Sequence, residues 1–448
     1  MKMPIVLLLI MVVAHISCHS VEPADIVDDV EPEIEANLKI ELDEHTLNEM
    51  WLKISISDTL TDNRIKFYRD DSLDKEMRLS GLDTILHYEG LPQSTMYSWK
   101  GILLKEDKIV DSTIVNFGTR VFELVENINF RDTLLTGDLP YDSKITDVFV
   151  ENYNSIWVAG SFEVDEGANK RVTRGYAHWN GADWEFREFR YYNPEFGQDT
   201  VSTIILDFDG YKDKLYALSA FNLLEYRNGE FVEIASQAVA FRKFSFIHME
   251  VLSPNDIYMC GSQGLFCHFD GIDFKLIETN NELYLHSISA NKETGRVFVC
   301  GYTGNFESST IYEYDGSTLS TLWDVSTDEW GMGKVTALFH KGRFLYVGGD
   351  EYFYEYRLDK REEGFRRVGL KFSGHIMDIY GEDEGNILAV SNNGRVYNYN
   401  YASWWYTVQN GYYEVYYSVH RKGKRVCVGG INHYYFNPRA TMLLGEGS

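Results

Sequence analysis

Three carboxylates, Asp147, Glu250 and Asp378, fall at one position of an internal repeat. Thr203 and Ser287 stand at the same level, and His286 and Glu414 one residue earlier. Acidic oxygens brought together in this way suit two chemistries. They hold a hard cation such as Ca²⁺, which takes roughly six to eight oxygen ligands. Alternatively they flank a glycosidic bond, where a carboxyl pair stands about 5 Å apart for retention or roughly 6.5–9.5 Å for inversion. The pattern also fits a solvated polar channel that does neither, and that is the preferred reading. No resident metal or cofactor is therefore expected. A second candidate is the aromatic stretch Tyr191-Tyr192-Asn-Pro-Glu-Phe196 in a long connection. Tyr191 and Tyr192 are placed to stack on a sugar ring or a protein partner, the alternative being an ordinary packed loop.

Other chemistries have no residues to carry them. The chain shows no Cys-x-x-Cys, no His-Glu-x-x-His, no phosphate-cradling glycine loop and no Gly-x-Ser-x-Gly elbow. The Asp-box turn of sialidase-like propellers is also missing. Its five cysteines, Cys18, Cys260, Cys267, Cys300 and Cys427, form no visible paired framework. Cys260 and Cys300 occupy the same place in adjacent repeats, but packed sheets lie about 10 Å apart. A disulfide needs Cα atoms within about 7 Å, so these thiols should stay reduced. Lys plus Arg total 42 against 68 Asp plus Glu, a formal net charge of −26. That excludes a nucleic-acid partner, which needs a basic face.

The elements that must position these residues repeat seven times. The phrases are Asn154–Gly160, Asp213–Ser219, Asn255–Gly261, Gly295–Gly301, Gly342–Gly348, Gly385–Ser391 and Gly423–Gly429. Each begins with a turn residue, continues as an apolar strand and ends in a small residue. Their ends are 59, 42, 40, 47, 43 and 38 residues apart, and the longest spacing contains the Tyr191–Phe196 stretch. A strand precedes most phrases. An aromatic strand follows, closed by Asn180-Gly181, Asn228-Gly229, Asp270-Gly271 or Asp315-Gly316, and then a fourth strand. Asn-Gly and Asp-Gly between strands predict type I′ hairpins, in which both central residues need φ > 0.

Four strands per 40–45 residues make the blade of a β-propeller. Residues 120–448 are thus expected to form a seven-bladed ring. The seventh repeat lacks a fourth strand, so the spare segment 122–126 is expected to complete it and cover the bare edges. Trp404-Trp405-Tyr406 and Tyr412-Tyr413 are expected to pack between blades.

Before the propeller, residues 37–119 show short strands at regular spacing. Gly90-Leu91-Pro92 and Thr95-Met-Tyr97 lead into Trp99-Lys-Gly-Ile102. This resembles the fibronectin type III signature, and the resemblance implies a sandwich with Tyr97 as its tyrosine-corner residue. Residues 19–36 read as an acidic tether: Glu22–Glu35 holds seven acidic residues, no basic one and two prolines. Residues 1–18 carry Lys2 and an apolar run from Ile5 to Ala14, the plan of a signal peptide, and end at Ser17-Cys18. That ending resembles a bacterial lipobox, which implies lipidation of Cys18; an ordinary cleaved signal peptide is the alternative. No other stretch is apolar and long enough to span a membrane.

The whole order resembles exported bacterial lipoproteins with a fibronectin type III-like domain followed by a β-propeller. The resemblance implies an all-β chain, exported and lipid-anchored in the bacterial cell envelope, at the outer membrane or cell surface. The expected function is a non-enzymatic binding or scaffold module for a protein or glycan. The alternative is a propeller carbohydrate-active enzyme, a glycoside hydrolase or lyase acting through Asp147, Glu250 and Asp378.

Overall fold

A computed structural model describes residues 37–447 except 46–49, 58–62, 79–81, 89–90, 93–94, 120–127, 135–142, 168–169, 194–197, 203, 237–243, 280–281, 292–293, 304–308, 328–330, 370, 373, 383–385, 400–403, 410–412 and 434–438. Cys18, the tether, Thr203 and segment 122–126 therefore lie outside the described residues. Within them the regular elements are strands and a few three-residue 3₁₀ turns. No helix there is long and apolar enough to cross a membrane.

Packing divides the chain into two compact units. One comprises the described residues up to Glu41 with Lys53–Ile85 and Ser98–Asn116; the other comprises Leu42–Leu52, Leu86–Tyr97 and Phe117–Ser448. Seven strands before residue 119 form a three-stranded sheet (Leu38–His45, Met50–Ile56, Asp83–Tyr88) and a four-stranded sheet. The latter runs in the order Ser72–Met77, Asn63–Arg69, Met96–Lys105 and Lys108–Gly118. Alternation decides their inner faces: Ile65 and Phe67 are fully buried, as are Trp99 and Leu103.

Beyond residue 128 the described residues contain seven antiparallel four-stranded sheets. Their inner strands, blades one to seven, are Lys144–Asn152, Asp207–Tyr211, Phe246–Ser253, Tyr284–Ala290, Ala337–Lys341, Ile376–Gly381 and Glu414–Lys422. Seven apolar clusters hold consecutive blades face to face. Tyr176 and Trp157 of blade one pack on Phe208 and Phe231 of blade two, for example. The cycle closes where Ile145 and Val148 of blade one meet Cys427, Ala440 and Met442 of blade seven. Each buried aromatic or aliphatic side chain contributes about 1.5–3 kcal/mol, so the clusters dominate cohesion.

Blade seven takes its fourth strand from Ile128–Leu134, which pairs with Arg439–Gly447. The ring is thus closed by a strand from before blade one, as expected, but the pairing segment is 128–134 rather than 122–126. Closure leaves neither terminal blade with a bare edge.

The small residue ending each phrase has a steric cause. A Cβ on Gly160, Gly261 or Gly430 would lie 2.1, 2.0 or 2.0 Å from the carbonyl oxygen of Lys144, Ser245 or Val415. In the seventh repeat this close approach belongs to Gly430, one residue beyond the phrase end read from sequence.

Antiparallel hairpins form at all four turns, but both central residues have positive φ in one only. Asn228 and Gly229 both have positive φ (53° and 91°). At Asn180, Asp270 and Asp315 only the following glycine does, because the side-chain oxygen takes the turn-closing role. It accepts the N–H groups of the residues two and three positions later, as in Asn180 with Ala182 and Asp183.

Candidate functional site: two rings of side chains on the inner strands

Strand register defines a common position in all seven blades. Asp147 lies opposite Ala159, Asp207 opposite Leu218, His248 opposite Cys260 and Ser287 opposite Cys300. Ala337, Asp378 and Ser418 complete this first ring opposite Gly348, Val390 and Gly429. In five blades a register shift adjoins the position, a bulge that re-aims the side chain.

The first ring joins blades. Asp147 accepts the N–H of Phe208 (2.8 Å), and Asp207 that of Met249 (2.6 Å). Ser287 accepts from Leu338 (3.0 Å), Asp378 from Val419 (2.9 Å) and Ser418 from Val148 (3.2 Å). The rule is uniform: the side chain takes the N–H just after the equivalent residue of the next blade. Ser418 also donates its hydroxyl to Asp147 (2.6 Å), so blades seven, one and two are linked through one carboxyl. One residue earlier the polarity reverses. Thr146 donates to the Ile205 carbonyl (3.0 Å), Thr336 to that of Ile376, and the Nδ1–H of His286 to that of Thr336 (3.1 Å).

Burial sets the ionisation. It pushes the Asp147 carboxyl well above the usual range, with the neighbouring Asp207 charge adding to the rise. Asp207 is raised by burial in turn, with the Met249 N–H it accepts opposing the rise. Asp378 is raised by burial too, opposed by His248. The Nε2 of His248 stands 3.7 Å from Asp207 Oδ1. Burial holds His286 down to about 4.

Two residues further along each inner strand lies a second ring: Phe149, Asp209, Glu250, Ser289, Phe339, Tyr380 and His420. Asp209 accepts the Val251 N–H (2.6 Å), Ser289 that of His340 (2.9 Å), and His420 Nδ1 that of Val150 (3.1 Å). All seven residues line a cavity of about 810 Å³, which first-ring residues and Leu42, Asp43 and His45 of the strand Leu38–His45 also line.

Several expected placements change. Asp147, Ser287 and Asp378 do share one level, but Glu250 belongs to the second ring, and His248 takes its place in blade three. Blade two contributes Asp207, not Thr203. Glu414 is paired opposite Asn432, far from Ser418, and is bonded by Tyr416 Oη and Asn432 Nδ2. Tyr191 and Tyr192 sit on the strand Phe189–Asn193, which pairs with Gln198–Ser202. Trp404 packs between blades, stacked 3.6 Å from Phe353, whereas Tyr413 is exposed. Cys260, Cys267, Cys300 and Cys427 are buried free thiols. Among the described residues no group of three or more His, Cys, Asp or Glu is placed to hold a metal ion.

The residues that sequence reading missed (Asp207, His248, Ser418) carry a legible signal. Each blade reads apolar-x-residue at this point: Ile145-x-Asp147, Ile205-x-Asp207, Phe246-x-His248, Leu285-x-Ser287, Ile376-x-Asp378.

No protein-family model matches this chain, and no curated protein matches its sequence. Its backbone is similar to solved β-propellers. One is the extracellular domain of the one component system BT4673 from B. thetaiotaomicron, with a TM-score of 0.50 and 11% identity. That match covers 70% of this chain and 40% of the other, so the chain spans less than half of its length. YCF48 bound to D1 peptide matches with a TM-score of 0.48 and 10% identity over 71% of this chain and 97% of that one. YCF48 from Cyanidioschyzon merolae gives 0.46 and 14% over 70% and 98%. At these identities the likeness is one of fold: the chain has a β-propeller architecture.

Proposed function

We propose that the protein is an exported envelope lipoprotein whose propeller is a non-enzymatic binding or scaffold module for a protein or glycan partner. In this reading Cys18 carries the lipid and residues 19–36 are the tether. The two sheets before residue 119 form a fibronectin type III-like spacer. The sequence supports the anchor through its signal-like start and Ser17-Cys18. One observation carries the non-enzymatic part: Asp147 and Asp378 each spend an oxygen on the N–H of the next blade. A glycosidase pair must instead present free oxygens to the sugar from both sides of the bond. Carboxyls raised by burial and committed to the scaffold behave as structural acceptors.

The test has two arms. Metabolic labelling with a fatty-acid analogue should label wild type and leave Cys18→Ala unlabelled and released. A panel of envelope and host polysaccharides should be bound or ignored, but not cleaved. Cleavage abolished by Asp147→Asn or Asp378→Asn in a folded protein would overturn the binding-module reading. Equal membrane retention of Cys18→Ala would overturn the anchor.

A further inference from the structure

The second ring is divided in two. Blades five, six, seven and one contribute Phe339, Tyr380, His420 and Phe149, a continuous arc of rings. Tyr380 and Phe339 centroids lie 6.0 Å apart, Tyr380 and His420 4.0 Å, and Phe149 and His420 4.7 Å. Blades two and three contribute Asp209 and Glu250, and blade four Ser289. The Tyr380 hydroxyl is raised first by burial and then by the charges of Asp209, Glu382, Glu250 and Asp378.

We propose that the axial cavity is a binding site for a small organic cation, an alkylammonium group held between the Phe149–His420–Tyr380–Phe339 arc and the Asp209–Glu250 side. Both halves select positive charge, for different physical reasons. Ring faces carry the negative part of the aromatic quadrupole and attract ammonium groups. The opposite wall supplies the carboxyls of Glu250 and of Asp209, whose oxygens also accept the Gly210 and Val251 N–H groups, in a recess where low dielectric strengthens the attraction to a cation. The cavity, at about 810 Å³, has room for an organic ligand. A bare metal ion is not favoured there, since no group of His, Cys, Asp or Glu among the described residues is placed to hold one. Lys212, Lys214, Lys341 and Lys422 also line the cavity, at the turn ends of the inner strands, and Lys214 is paired with Glu225 (3.0 Å). They leave the second ring itself without a lysine or arginine.

The inference goes beyond the anchored binding-module reading and does not depend on it. It is tested on the purified full chain by calorimetric titration with tetramethylammonium, n-butylammonium and the neutral isostere 3,3-dimethylbutan-1-ol. The expected result is saturable binding of at least one cation, with the alcohol about tenfold weaker or silent. Glu250→Gln and Tyr380→Leu should each weaken the cation about tenfold. Glu250→Gln keeps the side chain's size and should melt with wild type, so the result does not rest on a variant that fails to fold. Equal affinity for cation and alcohol, no saturable binding of either cation, or unchanged binding in Glu250→Gln would overturn the site. None of those outcomes touches lipidation or partner binding, which are read separately.

Discussion

The two rings of the propeller lie two residues apart on the same seven strands and solve different problems. In the first, polar side chains are used up in joining blades: five of its seven positions accept an N–H from the next blade. In the second, Asp209, Ser289 and His420 also accept an N–H from the next blade, but four neighbouring blades carry aromatic rings and two others carboxylates. A polar residue near an axis is therefore not evidence of a site. Blade-joining acceptors occur in both rings, so what sets the second apart is its continuous aromatic arc; in either ring a buried donor left without an acceptor costs more than the bond gained.

The contrast is broken most severely at Asp147. Asp147→Ala orphans the Phe208 N–H and the Ser418 hydroxyl, and each buried orphan costs roughly 1–3 kcal/mol. Equilibrium denaturation should show a loss of about 2–4 kcal/mol. Asp147→Asn keeps an acceptor oxygen and removes repulsion from Asp207, so at pH 4 it should stay within about 1 kcal/mol of wild type. Next comes Ser418→Ala, which leaves the Val148 N–H unmet where the ring closes; the same measurement should show a loss of about 1–3 kcal/mol.

A pH-dependent effect comes from the histidines of blades four and five. Burial holds His286 and His340 down to about 4, against about 6.5 in an unfolded chain. Their contribution is complete above about pH 6.5 and is lost as pH falls toward 4, because the unfolded chain then binds protons that the fold refuses. His286→Gln should flatten that acid limb in a pH series of thermal melts. The smallest effect belongs to the second ring. Glu250→Gln keeps the side chain's size and should cost less stability than Asp147→Ala while weakening the cation about tenfold. A large stability loss at Glu250 would erase the distinction between the rings.

Much of the propeller was legible in the sequence because a blade is a local object. Alternating strands, turn residues and the small residue ending each phrase are set by neighbours close in the chain. The closing strand was placed a few residues early because its identity is fixed by a partner more than 300 residues away, in the pairing of Ile128 with Gly447. The first ring was half legible for a related reason. Asp147 and Asp378 stood out as carboxylates, but assigning Glu250 rather than His248 to blade three missed the bulge, and one bulge moves every later side chain. Nothing local announced that these carboxyls serve the next blade, since the acceptor and its N–H lie 41 to 61 residues apart. The second ring's division into aromatic and acidic halves appears only once the seven strands are laid side by side.

The central claim is that first-ring carboxyls are buried joints, their pKa values pushed up by burial, rather than groups poised for a ligand. A carboxyl whose folded pKa is raised above its unfolded value contributes stability fully at pH below about 4. That contribution is lost as pH rises through the folded value, because the folded state then holds the extra proton. The measurement is the denaturant stability of the propeller transition from pH 4 to 9, wild type against Asp147→Asn. Asp147→Asn should be close to wild type at pH 4 and become progressively more stable relative to it as pH rises. Parallel curves, or an Asp147→Asn that falls behind as pH rises, would show that Asp147 is carried as an ordinary ionised carboxylate, and the account of the first ring would be wrong.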